Sequence, residues 1–357
     1  MTLLLIFISM LDDIELIKRI DSSNMLGVVE SFPEQIREAA SLARDLNIES
    51  NFKNIIIGGM GGSGISGDIA AVYFKNKIKT PVYVNKDYNL PAWVDEKTLA
   101  LIISYSGNTE ESLNMFKEAL KKKSTIIGIS SGGSLEELCN ENSFYHVKVP
   151  TGFQPRAALA YLLLPVLQIL SKIFEVDISQ EVEDVIESTN VLREKNRREV
   201  KTKENLAKQI ASRLHNKIPQ LYGWGIFSPV VKRWRTQLNE NSKVIAREDV
   251  LPECNHNDIV GWFYDKETSK RFACILLRDR DLETSAMSKR LDFLKNLLSN
   301  VAAEVIEIES IGKSELSKII ATIYLGDFVS CYLAILRNVD PTPVEIITKL
   351  KEKLRKA

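Results

Sequence analysis

The sequence has few of the residue types that metal, redox and polyanion chemistry require. It contains three histidines and four cysteines in 357 residues. No two of the cysteines, Cys139, Cys254, Cys274 and Cys331, are close enough for a CxxC pair, which argues against a zinc knuckle or a dithiol site. We expect reduced thiols, as in a cytoplasmic protein.

The sequence also lacks an excess of either charge. Lys and Arg together number 47, and so do Asp and Glu. No overall field would therefore attract a nucleic acid or an acidic membrane surface. Any site for an anion must be local.

No segment is predicted to cross a membrane. The apolar run at 2–9 is too short to span a bilayer and has no basic flank or cleavage site. We expect Met10 to be the natural start, with a packed or frayed N-terminal strand as the alternative. The apolar stretch 156–174 is long enough to span, but Lys172 and its strand–helix surroundings favour a buried helix.

What the chain does have is an alternation of strand-like and helix-like segments, repeated in its two halves. Strands are predicted at 54–58, 81–84, 99–104, 125–130, 144–149, 220–224, 271–277 and 304–308. Helices are predicted at 65–74, 109–121, 134–141, 156–174, 229–238, 286–299, 314–337 and 344–356. This order predicts an α/β protein with two doubly wound domains, each a mostly parallel sheet flanked by helices.

Domain boundaries follow from a change in composition between the halves. We expect an N-terminal domain over 1–175, charged linking helices over 176–216 and a C-terminal domain over 217–357, closed by a helix. The linking segment is predicted to be exposed. Its basic cluster at 195–198 is more typical of a solvated face than of a nucleic-acid site.

A glycine-rich loop, Gly58-Gly59-Met60-Gly61-Gly62-Ser63-Gly64, follows the first strand and precedes a helix. Glycines allow a ligand close to the backbone, and the helix N-terminus favours an anion. The spacing also fits the dinucleotide fingerprint, with Asp87 as a candidate ribose-binding acid. This loop alone leaves a sugar phosphate and a dinucleotide equally open.

A second loop, Ser104–Ser112, distinguishes the two ligands. It places the hydroxyls of Ser104, Ser106 and Thr109 before another helix. Helix capping needs one such hydroxyl, whereas hydroxyls and backbone amides together bind a phosphate without Lys or Arg. A sugar phosphate is therefore favoured.

Three further side chains suit an aldose–ketose isomerisation through an enediolate. That reaction needs a carboxylate to move a proton between C1 and C2, a donor to stabilise the enediolate oxygen, and an acid or base to open the ring. Glu240 lies between two asparagines, Arg156 precedes a long helix, and His256 lies in a polar segment. Each alone is also compatible with an ordinary surface, loop or capping role.

The order of these motifs resembles a known family. Gly-Gly-Ser-Gly followed by Ser-x-Ser-Gly-x-Thr-x-Glu is similar to the sugar isomerase (SIS) domain. The whole arrangement resembles the bifunctional phosphoglucose/phosphomannose isomerase family. The similarity is strongest at 59–68, 104–113, 155–163, 238–243, 251–261 and 339–349.

The resemblance implies two SIS-type domains and a substrate among the hexose 6-phosphates. It implies that the substrate phosphate is bound at Gly62, Ser63, Ser104, Ser106 and Thr109. It further implies a cytoplasmic homodimer that needs no metal or other cofactor. The alternatives are a noncatalytic sugar-phosphate-binding SIS regulator and a nicotinamide-dependent oxidoreductase.

The resemblance also implies roles beyond phosphate binding. Arg156 is expected beside the C1–C2 edge of the sugar, and Glu240 is expected to be the proton-transferring base. His256 is expected to open the ring from the neighbouring subunit. Thr342 is associated with acceptance of the mannose epimer, and Lys349 is expected to be the active-site lysine.

Overall fold

The computed structural model describes residues 10–48 and 51–354. The apolar run at 2–9 and the last residues of the helix expected to end at 356 lie outside them. The strands are β1 (Asn54–Gly58), β2 (Val82–Asn85), β3 (Thr98–Ile103), β4 (Thr125–Ser130), β5 (Tyr145–Lys148), β6 (Ile218–Trp224), β7 (Arg247–Leu251), β8 (Phe272–Arg278) and β9 (Glu304–Glu309). The helices are α1 (Ile14–Ile20), α2 (Met25–Glu30), α3 (Phe32–Ala39), α4 (Gly61–Phe74), α5 (Glu110–Lys121), α6 (Gly133–Glu141), α7 (Leu159–Phe174), α8 (Ser179–Asn196), α9 (Leu206–Leu214), α10 (Ser228–Glu240), α11 (Asp258–Tyr264), α12 (Lys266–Ser269), α13 (Ser285–Ser299), α14 (Glu315–Leu336) and α15 (Glu345–Leu354).

The chain forms two compact units. The first unit comprises Ser31–Asn190 and Ile311–Ala321. The second comprises residues 10–30, Val191–Ser310 and residues 322–354. The boundaries expected near residues 175 and 217 stay a prediction.

The first unit is built on a five-stranded parallel sheet in the order β2-β1-β3-β4-β5. Every residue of β3 is buried, as expected for a strand covered on both faces by helices. Because the strand order reverses between β1 and β3, their carboxyl ends border the crevice where doubly wound proteins bind ligands. The two loops singled out from the sequence follow these two strands.

The second unit contains a four-stranded parallel sheet in the order β7-β6-β8-β9. The expected fold class, two parallel sheets flanked by helices, is confirmed. Strand β7 was not predicted, because Arg247, Glu248 and Asp249 give it the charged character of a half-exposed edge strand.

Two helices begin three or more residues away from the expected position. Helix α4 begins at Gly61 rather than at 65, because the amides of Ser63 and Gly64 already bond to the carbonyl of Met60. Helix α7 begins at Leu159 rather than at 156, and a short 3-10 turn, Pro155–Ala157, precedes it. Arg156 therefore lies in a turn, with its side chain buried.

Helix α14 is long and apolar enough to cross a membrane by length and composition alone. The whole of its most apolar 18-residue window is buried inside the protein. A helix in the core of a folded protein can be equally long and apolar, so burial accounts for the composition of α14.

The expectation that 176–216 is exposed holds for one face of its helices only, because the other face is buried. Asn196 is buried, and Lys208 is wholly buried. Arg198 is mostly buried and donates to both carboxylate oxygens of Glu30, at 3.0 and 2.8 Å. The many charged residues obscured the apolar face that helices α8 and α9 each bury. The basic cluster at 195–198 is partly buried, so it is neither a fully solvated face nor an exposed basic surface.

Lys208 makes stability sensitive to pH. Its ammonium group donates to the carbonyls of Arg198 and Val200 at 2.8 and 2.7 Å. Burial lowers the pKa of Lys208 to about 8 despite the opposing effect of Asp12. Between this pKa and that of an unfolded lysine, the unfolded state binds more protons, so the free energy of unfolding should rise with pH.

We therefore expect the wild type to gain about 2 kcal/mol in free energy of unfolding relative to Lys208→Met when the pH rises from 8 to 10. Chemical denaturation at both pH values measures it. Exposed Lys203→Met is the matched control and should show no such shift. Parallel pH dependence of Lys208→Met and wild type would contradict the burial argument.

Candidate functional site

The first loop, 58–64, uses its glycines for close backbone approach. A side chain at Gly62 would place its Cβ 2.8 Å from the carbonyl oxygen of Pro155, and one at Gly64 would lie 2.4 Å from that of Gly59. The loop therefore packs directly against the turn that carries Arg156. A larger residue at Gly62 would push the two apart.

The second loop, 104–109, is held by its own hydroxyls. Ser104 Oγ donates to Thr109 Oγ1 at 2.9 Å and accepts from the amide of Thr109 at 3.3 Å. Ser106 Oγ accepts from the amide of Asn108 at 3.3 Å. Thr109 is the N-cap of α5, yet its side chain makes no capping bond. Capping therefore does not explain this hydroxyl.

The hydroxyls of the two loops retain O–H groups that can donate hydrogen bonds to a ligand. Ser63 Oγ accepts from the amide of Tyr105 at 3.1 Å, and Ser106 also accepts a bond. A hydroxyl that accepts within the protein retains its own O–H as a donor. The Ser104–Thr109 pair shares one hydrogen bond and so retains one further O–H. Hydrogen bonds within the second loop, and between it and the first, place Ser63, Ser104 and Thr109 at the same edge of the sheet.

Glu240 ends helix α10, and it is half-buried. One face of α10 is anchored to α14 and holds the helix end in place. The anchoring bonds are Arg233 to Asp327 at 3.1 Å, Trp234 Nε1 to the carbonyl of Thr322 at 2.9 Å, Gln237 to Asp327 at 2.9 Å and Asn241 to Ser330 at 2.9 Å. The carboxylate is thus presented from a rigid element, as proton transfer requires.

Lys243 connects the end of α10 with the segment that contains Thr342. Its ammonium group donates to the carbonyls of Glu240 and Pro341 at 2.5 and 3.1 Å. The amide of Thr342 donates to Asp340 at 2.8 Å. Within the second unit, Glu240 and Thr342 are therefore brought close, which spacing in the sequence did not indicate.

His256 is exposed at the end of a short 3-10 turn, Glu253–His256. The residue that begins the next helix is held in place, because Asp258 accepts hydrogen bonds from Tyr222 at 2.6 Å and from Trp262 at 2.9 Å. Lys349 lies on α15, of whose described residues none is buried. Both side chains are accessible on the surface of the chain.

A third loop, Ser130–Ser134, was missed from the sequence. It follows β4, and the amide of Leu135 beyond it donates to the carbonyl of Gly107 at 2.9 Å. Ser130 also bonds to His146 at 2.8 Å, and burial lowers the pKa of His146. The Ser-Ser-Gly-Gly sequence of this loop, directly after a buried strand, was the signal that could have found it.

Across 10–48 and 51–354, no group of three or more His, Cys, Asp or Glu is placed to hold a metal ion.

The two parallel sheets, one in each unit, and the hydroxyl-lined crevice of the first define a protein of the SIS-domain class. The SIS domain model matches residues 50–167, and the model described as bacterial phospho-glucose isomerase C-terminal SIS domain matches 203–354. The crystal structure of a hypothetical protein from Thermus thermophilus has the same fold, with a TM-score of 0.77 at 14% identity, covering 96% of this chain and 93% of that one.

Two curated relatives carry the name bifunctional phosphoglucose/phosphomannose isomerase. That of Caldicellulosiruptor bescii is 40% identical over 336 residues, covering 92% of this chain and 98% of the relative. That of Aquifex aeolicus is 37% identical over 330 residues, covering 92% and 98%. The chain belongs to the bifunctional phosphoglucose/phosphomannose isomerase family. The resemblance stated from the motifs is confirmed, and with it the assignment of the chain as an isomerase enzyme.

Proposed function

We propose that this enzyme interconverts glucose 6-phosphate and mannose 6-phosphate with fructose 6-phosphate. The observation that carries the proposal is the set of hydroxyls of Ser63, Ser106 and the Ser104–Thr109 pair at the crevice of the first sheet. Family membership supplies the class of reaction. Oriented neutral donors suit a phosphate, because they can bind it by hydrogen bonds alone.

Glu240 is assigned the proton transfer between C1 and C2. A carboxylate fixed on a helix end can remove the C1 or C2 proton and return it to the other carbon. The planar cation of Arg156 stabilises the negative oxygen of the cis-enediolate. Removal of the C2 proton from either epimer gives the same enediolate, and return of a proton to either face of C2, with rotation about C2–C3, would produce both epimers. Thr342 is assigned to acceptance of the mannose form.

His256 and Lys349 are assigned to ring opening. We propose that His256 acts in the neighbouring copy of a homodimer, and its exposure supports this role.

Gly62 is assigned to binding of the substrate phosphate through its backbone. The steps require only side-chain acids and bases, so activity is expected to survive a chelator. We also propose that the enzyme is cytoplasmic.

The test is to incubate the purified chain with each hexose 6-phosphate in turn and identify the other two among the products. Unphosphorylated fructose is the control and should not react, because it lacks the group that the hydroxyls bind. Binding without conversion would favour the noncatalytic SIS regulator instead. Conversion that depends on added nicotinamide cofactor would favour the oxidoreductase.

A further inference from the structure

Tyr105 connects four loops at the carboxyl edge of the first sheet. Its amide donates to Ser63 Oγ at 3.1 Å in the first loop. Its carbonyl accepts from the amide and the hydroxyl of Ser131 at 2.8 and 2.7 Å. Its phenol donates to the carbonyl of Pro150 at 3.0 Å and accepts from the amide of Phe153 at 2.9 Å. The backbone bonds fix the phosphate loops, and the phenol bonds fix a different segment.

That segment, 150–153, leads directly into the turn that carries Arg156. The phenol of Tyr105 holds both of its ends, and Tyr105 is only 7% exposed. Burial raises the pKa of Tyr105, so the phenol stays protonated and remains a donor. Arg156 is itself 3% exposed, and its backbone lies against Gly62. The location of Arg156 therefore depends on the segment that Tyr105 holds.

We propose that Tyr105 is a positioning residue that holds Arg156 in place for the isomerisation. The inference rests on the proposed function, because it assigns Tyr105 to the same site. Two side-chain bonds of Tyr105 hold the segment before the turn, whereas its backbone bonds hold Ser63 and Ser131. The other phosphate hydroxyls are held by bonds within the second loop. A change confined to the phenol therefore separates the two effects.

Tyr105→Phe removes only the phenolic oxygen. The ring and the backbone bonds to Ser63 and Ser131 remain, so phosphate binding and KM should change little. The carbonyl of Pro150 and the amide of Phe153 lose their partner, which lets the turn move. Because displacement of a catalytic group by a fraction of an ångström is costly, we expect kcat to fall about tenfold.

The experiment measures kcat and KM for fructose 6-phosphate in wild type, Tyr105→Phe and Tyr145→Phe. Tyr145 is exposed on β5 and is the matched control, with kinetics expected to equal those of the wild type. The ratio of glucose to mannose product is recorded as well, because it does not depend on the fraction of folded enzyme. A shift in that ratio is expected for Tyr105→Phe alone. Unchanged kcat and product ratio would overturn the proposal.

A double-mutant cycle with Arg156→Met decides whether the effect passes through Arg156. In that background Tyr105→Phe should cause no further loss of kcat, because the group that it positions is gone. An equal loss in both backgrounds would show a merely structural role and overturn the proposal. An inactive wild type would instead contradict the proposed function, so the two failures are distinguishable.

Discussion

Replacing Glu240 by glutamine is expected to lower kcat about a thousandfold while KM for fructose 6-phosphate stays within about threefold. Glutamine keeps the shape of the side chain but cannot take up a proton. The four anchoring bonds of α10 come from Arg233, Trp234, Gln237 and Asn241. None involves the carboxylate of Glu240, so the helix end should keep its place in the variant.

Steady-state kinetics with each hexose 6-phosphate measures the effect of Glu240→Gln. The matched control is Glu137→Gln, on the exposed side of α6, which makes the same chemical change away from the proposed site. It should retain full turnover. Near-wild-type kcat in Glu240→Gln would mean that another group is the base.

Replacing Gly107 by alanine is expected to lower kcat/KM about a hundredfold, mainly through KM. Its backbone has φ of +69°, and a Cβ there would lie 1.7 Å from the carbonyl oxygen of Gly132. The second loop must then move away from the third. Ser106 and Thr109 would lose their alignment, and each lost hydrogen bond to a charged phosphate costs about 1.5–3 kcal/mol.

Gly225→Ala is the control for backbone strain alone. Its φ is +49°, and no atom lies within 4 Å of the position that a Cβ would occupy. We expect it to lose some stability but to keep its KM. Equal KM values in Gly107→Ala and wild type would show that the second loop does not hold the phosphate.

The sheets could be predicted from the sequence because most of their central strands, such as β1, β3 and β4, are largely apolar runs. Strands β1 and β4 have the predicted bounds, and β3 differs by one residue at each end. The location of the phosphate loops followed, since glycines and hydroxyls came directly after β1 and β3. The edge strand β7 and the buried face of α9 were missed, because charged residues such as Glu248 and Lys208 masked them.

The connections within the site could not be predicted, because they join residues far apart in sequence. Tyr105 bonds to Ser63 across 42 positions and to Phe153 across 48. Lys243 reaches Pro341 across 98. No local pattern encodes such contacts. The roles given to Glu240, His256 and Lys349 came from resemblance and stay predictions.

The most direct measurement of the central claim is the isotope at C2 when the enzyme converts fructose 6-phosphate in deuterium oxide. The proton that Glu240 holds between C1 and C2 can exchange with solvent before it is returned, so part of the product should take up deuterium. The wild type is therefore predicted to release both aldose products with deuterium at C2 in part of the molecules, and Glu240→Gln is predicted to form these labelled products about a thousandfold more slowly. Wild-type products that carry only hydrogen transferred from C1 would contradict the account.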